Sequence, residues 1–280
     1  SLTLQDSSGS ADGKVWDLSS GIDHFEALQY IKVDGEVQRY QNVLQLNIRR
    51  VRVAREGEYD PADYVPVSPY PIDKMYDELL GYVRSITHPK LRALLESFFV
   101  NDPAFTKAFK AHSAAKSVHH SFVSGLLMHT ANMLKIADFL AGLYADTIDR
   151  SLLLTGTLLH DFAKREEFQF SPAGTVTEYS VKGQLLGHLV MGAAYVAETA
   201  RDLNIPEDKS VLLQHMLLSH HGDPAFGAAV VPCIAEAELL SQIDLIDSRM
   251  EIYRESLQDV PIGQFSQRIF ALEKKIYHHE

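Results

Sequence analysis

The chain has 280 residues, room for two domains of ordinary size, and its 46% hydrophobic and 22% charged content is that of a folded protein rather than a disordered one. Its net charge of −11 argues against a passive nucleic-acid coat, which is usually basic, but leaves room for an enzyme with a local basic track. With one cysteine, Cys233, no internal disulfide can form. No basic-then-apolar leader opens the chain and no apolar run reaches membrane-span length, so a soluble cytoplasmic protein without membrane contact is expected.

The first 55 residues read as β. LTLQD alternates, SSG is a turn, and GKVWDL resumes as a strand. A short helix is expected over 24–28. IKVDGEVQRY and VLQLNIRRVRVAR are two further extended runs joined at Gln41 and Asn42. In the second run, strict alternation puts Val43, Gln45, Asn47, Arg49 and Val51 on one face. Leu44, Leu46, Ile48, Arg50 and Arg52 take the other. Residues 56–73, rich in Pro, Asp and Tyr and without a helical period, form a linker.

From 74 to 280 the apolar spacing is helical, with helices expected over 74–87, 89–99, 103–113, 117–144, 149–165, 183–203, 207–221 and 232–257. Pro89, Pro103, Pro206 and Pro232 sit near helix starts, and Gly222 follows a helix end. The fold class is therefore α+β in two parts: a small β domain at 1–55 and an all-α bundle at 74–280.

Nine of the thirteen histidines fall between His112 and His221. His129 keeps step with Phe122, Leu126, Met133, Ile136 and Leu140, so it points inward. His160 and Asp161 end the apolar run LLLTGTLL, where a buried Asp needs a partner or a metal. Lys164, one turn on, is placed to hold a phosphate oxygen or protonate a leaving group; an Asp161–Lys164 surface pair is the plain alternative. His188 lies among Leu185, Leu186, Leu189 and Val190; His220 and His221 close another apolar helix. Taken singly, His129 and His188 read equally well as core histidines, and a His at a helix C-terminus suits the helix dipole. Asp244 and Asp247 share a face of an apolar helix. Asp247 has Arg249 or Arg254 within reach, which leaves Asp244 as the candidate ligand.

Five His and two Asp at apolar helix faces make the right count for two metal ions. Imidazole with a bridging carboxylate favours Mn, Fe, Ni or Zn over Mg alone. Two such ions can activate a water and stabilise the leaving oxygen of a phosphate ester. No GxxxxGK[ST] loop and no GxSxG elbow occurs.

His129, then HD at 160–161 with Lys164, then His188, HH at 220–221 and Asp244 resembles the HD-domain phosphohydrolases. HHSFVSGLLMHT, LLHDFAK, TEYSVKGQLLGHLVMGA, LLSHHGDPAFGA and IDLIDSRM are similar to segments of the YhaM-type exoribonucleases, in which an OB-fold precedes the HD domain. LQDSSGSADGKVWD and YQNVLQLNIRRV are similar to the matching OB-fold segments, so the resemblance covers nearly the whole chain.

The resemblance implies 3′-to-5′ cleavage of single-stranded RNA, and often single-stranded DNA, with a divalent metal requirement, usually Mn²⁺. It implies one ion on His129, His160, Asp161 and Asp244, with Asp161 bridging to a second ion on His188, His220 and His221. It places Lys164 near the scissile phosphate and gives His119 and His120 a substrate-contacting role. It also implies a further strand before LTLQD, so the β domain is expected to be a partial OB-fold barrel. Phe162 departs from the smaller aliphatic that usually follows the HD pair.

An OB-fold binds single strands through stacking aromatics and a basic groove. Trp16, Phe25 and Tyr40 are the candidate stackers, although Trp16 reads better as barrel core, where the aromatics of short barrels more often lie. Arg49, Arg50 and Arg52, with Arg39 and Arg55, are candidate phosphate contacts or a solvated face. Two other functions fit the same residues: an HD-type hydrolase of small nucleotides (a dNTP or a cyclic dinucleotide), and a non-catalytic single-strand-binding adaptor. The OB-like segment favours a polymer over a small nucleotide, and the intact ligand set favours catalysis.

Overall fold

The computed structural model describes residues 1–6, 9–16, 21–40, 43–60, 63–64, 68–115, 122–171 and 176–280. The N-terminal part is a four-stranded sheet of β1 (Leu2–Asp6), β2 (Gly9–Val15), β3 (Ile31–Tyr40) and β4 (Val43–Val53). The strand order is β1-β2-β4-β3, with β2 parallel to β4 and the other two pairings antiparallel.

β4 does not keep the expected alternation. The register with β3 shifts between Asp34, opposite Arg50, and Gly35, opposite Ile48, which leaves Arg49 as an extra residue. Such a bulge turns the strand, so Ile48 and Val51 are both buried while Arg49 and Arg50 are both exposed. The helix expected over 24–28 is absent: Leu28 has a positive φ of 66°, and Ile22 bridges to Val51 in extended form. Trp16 is 74% exposed, which removes the barrel-core reading for that ring. The strap after β4 is held by aromatics: Tyr30 stacks on Tyr59 with ring centroids 3.9 Å apart, and Tyr64 meets Tyr30 edge-on.

Nine α-helices follow among the described residues: α1 (Ile72–Ser85), α2 (Pro89–Phe99), α3 (Pro103–Ala111), α4 (Gly125–Leu143), α5 (Arg150–Leu159), α6 (Lys164–Glu167), α7 (Val181–Asp202), α8 (Glu207–Ser219) and α9 (Ala235–Leu257). Local chemistry starts several of them: Pro89 and Pro103 open α2 and α3, and Asp102 and Asp149 accept from Phe105 and Leu152 as N-caps. A hairpin interrupts the helices, β5 (Phe168–Phe170) with β6 (Val176–Tyr179). Of the helix expected over 117–144, the described part begins as α4 at Gly125, after the left-handed Ser124 (φ 66°), while 117–121 lie outside the described residues. After α9 the tail is a looped segment with isolated bridges Phe265–Tyr277 and Ile269–Lys274 around a 3-10 turn at Phe270–Leu272, and it packs Leu272 and Ile276 on Ile252.

One apolar core runs through α1–α5 and α7–α9, with an aromatic cluster of Phe98, Phe99, Phe105, Phe109 and Phe162. Phe162 is fully buried and meets Phe98 at 5.1 Å and Tyr195 at 6.2 Å. Room for its ring comes from Gly192, where a β-carbon would lie 3.3 Å from the ring edge. Phe162, directly after the HD pair, is thus accommodated by the facing helix. No helix among the described residues is long and apolar enough to cross a membrane.

Candidate metal centre

α5 stops one residue before His160 instead of running to 165. A continuous helix would splay the His160 and Asp161 side chains by about 100°. The turn over 160–163 turns both inward, with His160 Nε2 3.3 Å from Asp161 Oδ2. α8 ends the same way, with His220 at its C-cap and His221 in the turn that Gly222 closes. Each cap histidine satisfies a carbonyl of its own last turn: His160 Nδ1 donates to Thr157 and His220 Nδ1 to Leu217, both at 2.8 Å.

The seven candidate ligands, 115 positions apart at the extremes, meet at one place. His129 Nε2 lies 3.3 Å from Asp244 Oδ1 and 3.8 Å from Asp161 Oδ2, and His160 Nε2 is 3.2 Å from His129 Nε2. On the other side of Asp161, Oδ1 lies 3.3 Å from His188 Nε2 and 3.6 Å from His220 Nε2. His221 completes that side, its ring centroid 4.5 Å from that of His220 and 5.2 Å from that of His188. Two donor groups result, His129–His160–Asp161 and His188–His220–His221, the donor atoms of each lying within 4.8 Å of one another. Lys164 Nζ pairs with Asp161 Oδ2 at 2.7 Å, inside the site; the plain surface pair does not form.

These residues fit metal ions. A carbonyl or carboxylate can only accept, so the Nδ1 partners of His129, His160, His188 and His220 fix each of those Nδ1 atoms as an N–H donor. In the neutral rings of His160, His188 and His220, Nε2 is then a lone pair on the side of Asp161, whereas on His129, held protonated by Asp244 and Asp247, a bound metal would take the place of the Nε2 proton. Asp161 Oδ1, His188 Nε2 and His220 Nε2 are buried acceptors with no hydrogen-bond donor between them. Such an arrangement is costly without a cation among them. Imidazole with a shared carboxylate suits Mn, Fe, Co, Ni or Zn.

The charge balance agrees. Burial opposes the imidazolium of His129, but Asp244 and Asp247 outweigh it and hold its pKa up at about 10. Burial also opposes the Asp161 and Asp244 carboxylates. Lys164 and His160 outweigh it at Asp161, and His129 does so at Asp244, so both stay well below the usual carboxylate range. Asp161 likewise keeps Lys164 above the ordinary lysine value against its burial. At the other end, burial and the neighbouring His220 push His221 down to about 3, leaving its ring neutral. One end of the site is anionic, and at the other burial keeps the His220 and His221 rings neutral.

Two carboxylates serve the ligands from behind. Asp247 Oδ2 accepts from His129 Nδ1 at 2.7 Å; the expected Arg254 partner goes instead to Glu251. Glu167, which sequence reasoning passed over, accepts from His188 Nδ1 at 3.0 Å. Asp247 was visible in its three-residue spacing from Asp244, whereas Glu167 carries no such signal. His215, five residues before His220 on the same helix, faces away from the set and accepts from the Cys233 amide at 2.9 Å.

Among the described residues, no contact links the remaining candidates Arg49, Arg50 and Arg52 to this centre. His119 and His120 lie outside the described residues, as does the Tyr40 side chain. Arg52 is forked onto Glu58 at 2.6 and 2.7 Å, and Arg49 pairs with Glu36 at 2.6 Å, so neither is a free cation. Arg50 is exposed, and among the described residues no ion pair engages it.

Residues 126–249 match the family model described as the HD domain. The chain is 35% identical to the 3′-5′ exoribonuclease YhaM of Bacillus subtilis (strain 168), over 99% of this chain and 87% of that protein. It is 33% identical to the protein of the same name from Listeria innocua, over 100% of this chain and 88% of that one. The Geobacillus sp. (strain WCH70) protein of that name is 32% identical, over 99% and 84%. No solved structure matches the chain.

Proposed function

The chain belongs to the YhaM family of 3′-5′ exoribonucleases, with an HD domain, and on that premise we propose that it is a metal-dependent enzyme shortening single-stranded RNA from the 3′ end. The observation that carries the reading is the single buried centre where Asp161 stands between two histidine groups. Metal ligation is assigned to His129, His160, Asp161 and Asp244 at one end and to His188, His220 and His221 at the other, with Asp161 shared. Two divalent ions, Mn²⁺ first among them, would supply an acidified water and positive charge for the phosphate oxygens.

Within the chain, each residue has a defined task. Asp161 holds its charge, so it can serve both ends at once. Lys164 is 14% exposed at Asp161, and a cation held that firmly attracts a phosphate oxygen rather than giving up a proton. Asp244, with 18% of its side chain exposed, and His221 lie on the open side, where a strand end can enter. The products are nucleoside 5′-monophosphates, and single-stranded DNA is a second substrate.

The β domain at 1–55 is assigned to strand binding through Arg50 and the exposed Trp16 ring, with 56–73 as linker to the HD part at 74–280. The net charge of −11 suits this division, since affinity for a strand then comes from a few local contacts. The free, exposed thiol of Cys233 fits a cytoplasmic enzyme.

Incubation of 3′-labelled and 5′-labelled oligoribonucleotides with Mn²⁺ tests the assignment. The 3′ label should appear at once as mononucleotide while the 5′-labelled strand shortens stepwise. No mononucleotide release, or equal release by the Asp161→Ala protein, refutes it.

A further inference from the structure

We infer that Glu167 is a positioning residue on which the His188–His220–His221 half of the metal centre depends. The inference rests on the metal-centre reading above.

Glu167 ends α6, three residues after Lys164, and is only 6% exposed. Its Oε1 accepts from the His188 backbone N–H at 3.0 Å and from His188 Nδ1 at 3.0 Å. That backbone N–H faces the carboxylate because α7 is kinked at Gly187, whose φ of 69° and ψ of 161° interrupt the helix. A side chain at 187 would be strained in that conformation. The same junction is closed from the other side. Ser180 donates its N–H to the Glu167 carbonyl at 2.8 Å, and a β-carbon at Gly183 would lie 2.0 Å from that carbonyl oxygen. Chain breaks, a close helix approach and a buried acid thus converge on one imidazole.

The chemical effect is on the tautomer. A carboxylate at Nδ1 holds the proton there, so the Nε2 lone pair is presented to Asp161 Oδ1 3.3 Å away. His160 and His220 obtain the same service from backbone carbonyls of Thr157 and Leu217, which no side-chain substitution removes. His129 relies on Asp247, at the other end of the site. Of the three histidines at the His188 end, His188 is the one seen to depend on a replaceable side chain. Among the described residues the ion pair of Glu167 is with His188, while its effect on Lys164 is electrostatic support without a direct pair.

Manganese binding to the purified full chain tests this, by calorimetry for stoichiometry and by electron paramagnetic resonance for coupling between ions. Wild-type protein should bind two ions and show an exchange-coupled spectrum. Glu167→Ala should keep one site at wild-type affinity and weaken the second about 10–100-fold, leaving a mononuclear spectrum. Glu167→Gln has an amide oxygen that can accept both N–H groups, so it should restore the second site to within a few-fold. Two wild-type-affinity sites in Glu167→Ala, or a Glu167→Gln protein as weak as the alanine variant, overturns the inference. Should the alanine variant not fold, ¹⁵N spectra of the metal-free wild-type protein decide. The His188 signal, assigned by its loss in His188→Gln, must report Nδ1–H, and an Nε2–H tautomer overturns the role. A wild-type protein that binds two ions but releases no mononucleotide sinks the exonuclease reading and leaves the Glu167 inference standing.

Discussion

Truncating Asp161 to alanine should do two separable kinds of damage. In metal-free protein, Lys164 loses the carboxylate 2.7 Å from its Nζ while its side chain is only 14% exposed. Breaking a buried pair by removing one partner costs about 3–5 kcal/mol, because the remaining charge is stranded. Here the lower end applies, since Asp244 and Glu167 still favour the ammonium electrostatically. With urea m-values of about 1–3 kcal/mol/M, a loss of about 3 kcal/mol lowers the unfolding midpoint by about 1–3 M. The assay is urea unfolding in EDTA followed by helical circular dichroism. Adding Lys164→Met should return most of the loss, because an apolar side chain replaces the stranded charge. With Mn²⁺ present, both proteins should lose at least about three orders of magnitude in exonuclease rate, several kcal/mol of transition-state stabilisation. The reasoning is refuted if the single variant unfolds within about 0.5 kcal/mol of wild type, a spread ordinary for surface substitutions. It is equally refuted if Lys164→Met deepens the loss.

Gly183→Ala forces a β-carbon into the Glu167 backbone, and such overpacking costs about 1–3 kcal/mol; thermal unfolding should show it, together with weaker Mn²⁺ binding. His112 stacks on Phe170 with ring centroids 3.6 Å apart, and burial together with Arg165 pushes its pKa down to about 4 from 6.5. Between those values the unfolded chain carries the extra proton, so stability falls as pH drops from 6.5 through 4, by up to about 3 kcal/mol. His112→Phe keeps the stack and should flatten that limb in urea titrations run across the window. Arg50→Ala should weaken binding of a single strand and reduce the salt slope by about 1, as loss of one phosphate contact does. Arg52→Ala should leave the slope unchanged, since Arg52 is already committed to Glu58; fluorescence anisotropy at several salt concentrations separates the two.

Apolar helical periodicity made most of the bundle legible, because a helix that buries one face must repeat that face every three to four residues. α2 lies where the spacing puts it, at Pro89–Phe99, and α1, α3, α7 and α9 depart from expectation by a few residues at their ends. Periodicity fails where the chain departs from helix to aim a side chain. The breaks after Leu159, at Gly187 and after Ser219 each fall within one residue of a candidate ligand. At the first two, hydrophobic spacing continues through the break, so nothing in the pattern announces it; the third is announced by Gly222, though two residues late. The β4 bulge is the same effect in a strand, moving Arg49 and Arg50 together onto the exposed side.

The residues that bind were easier to name than the residues that hold the binders. A buried Asp or His on an apolar face stands out because its burial is costly, and that cost is visible in one dimension. Glu167 lies in KREE, a sequence indistinguishable from a solvated turn, and its burial arises only because Gly183 and the Gly187 kink bring α7 onto it. Exchanging either glycine should therefore mimic loss of the Glu167 carboxylate at the second ion while sparing His129 and Asp247, which lie on α4 and α9. If the two ions instead weakened together, α7 would not be an independent support, and the division of the centre at Asp161 would have to be given up.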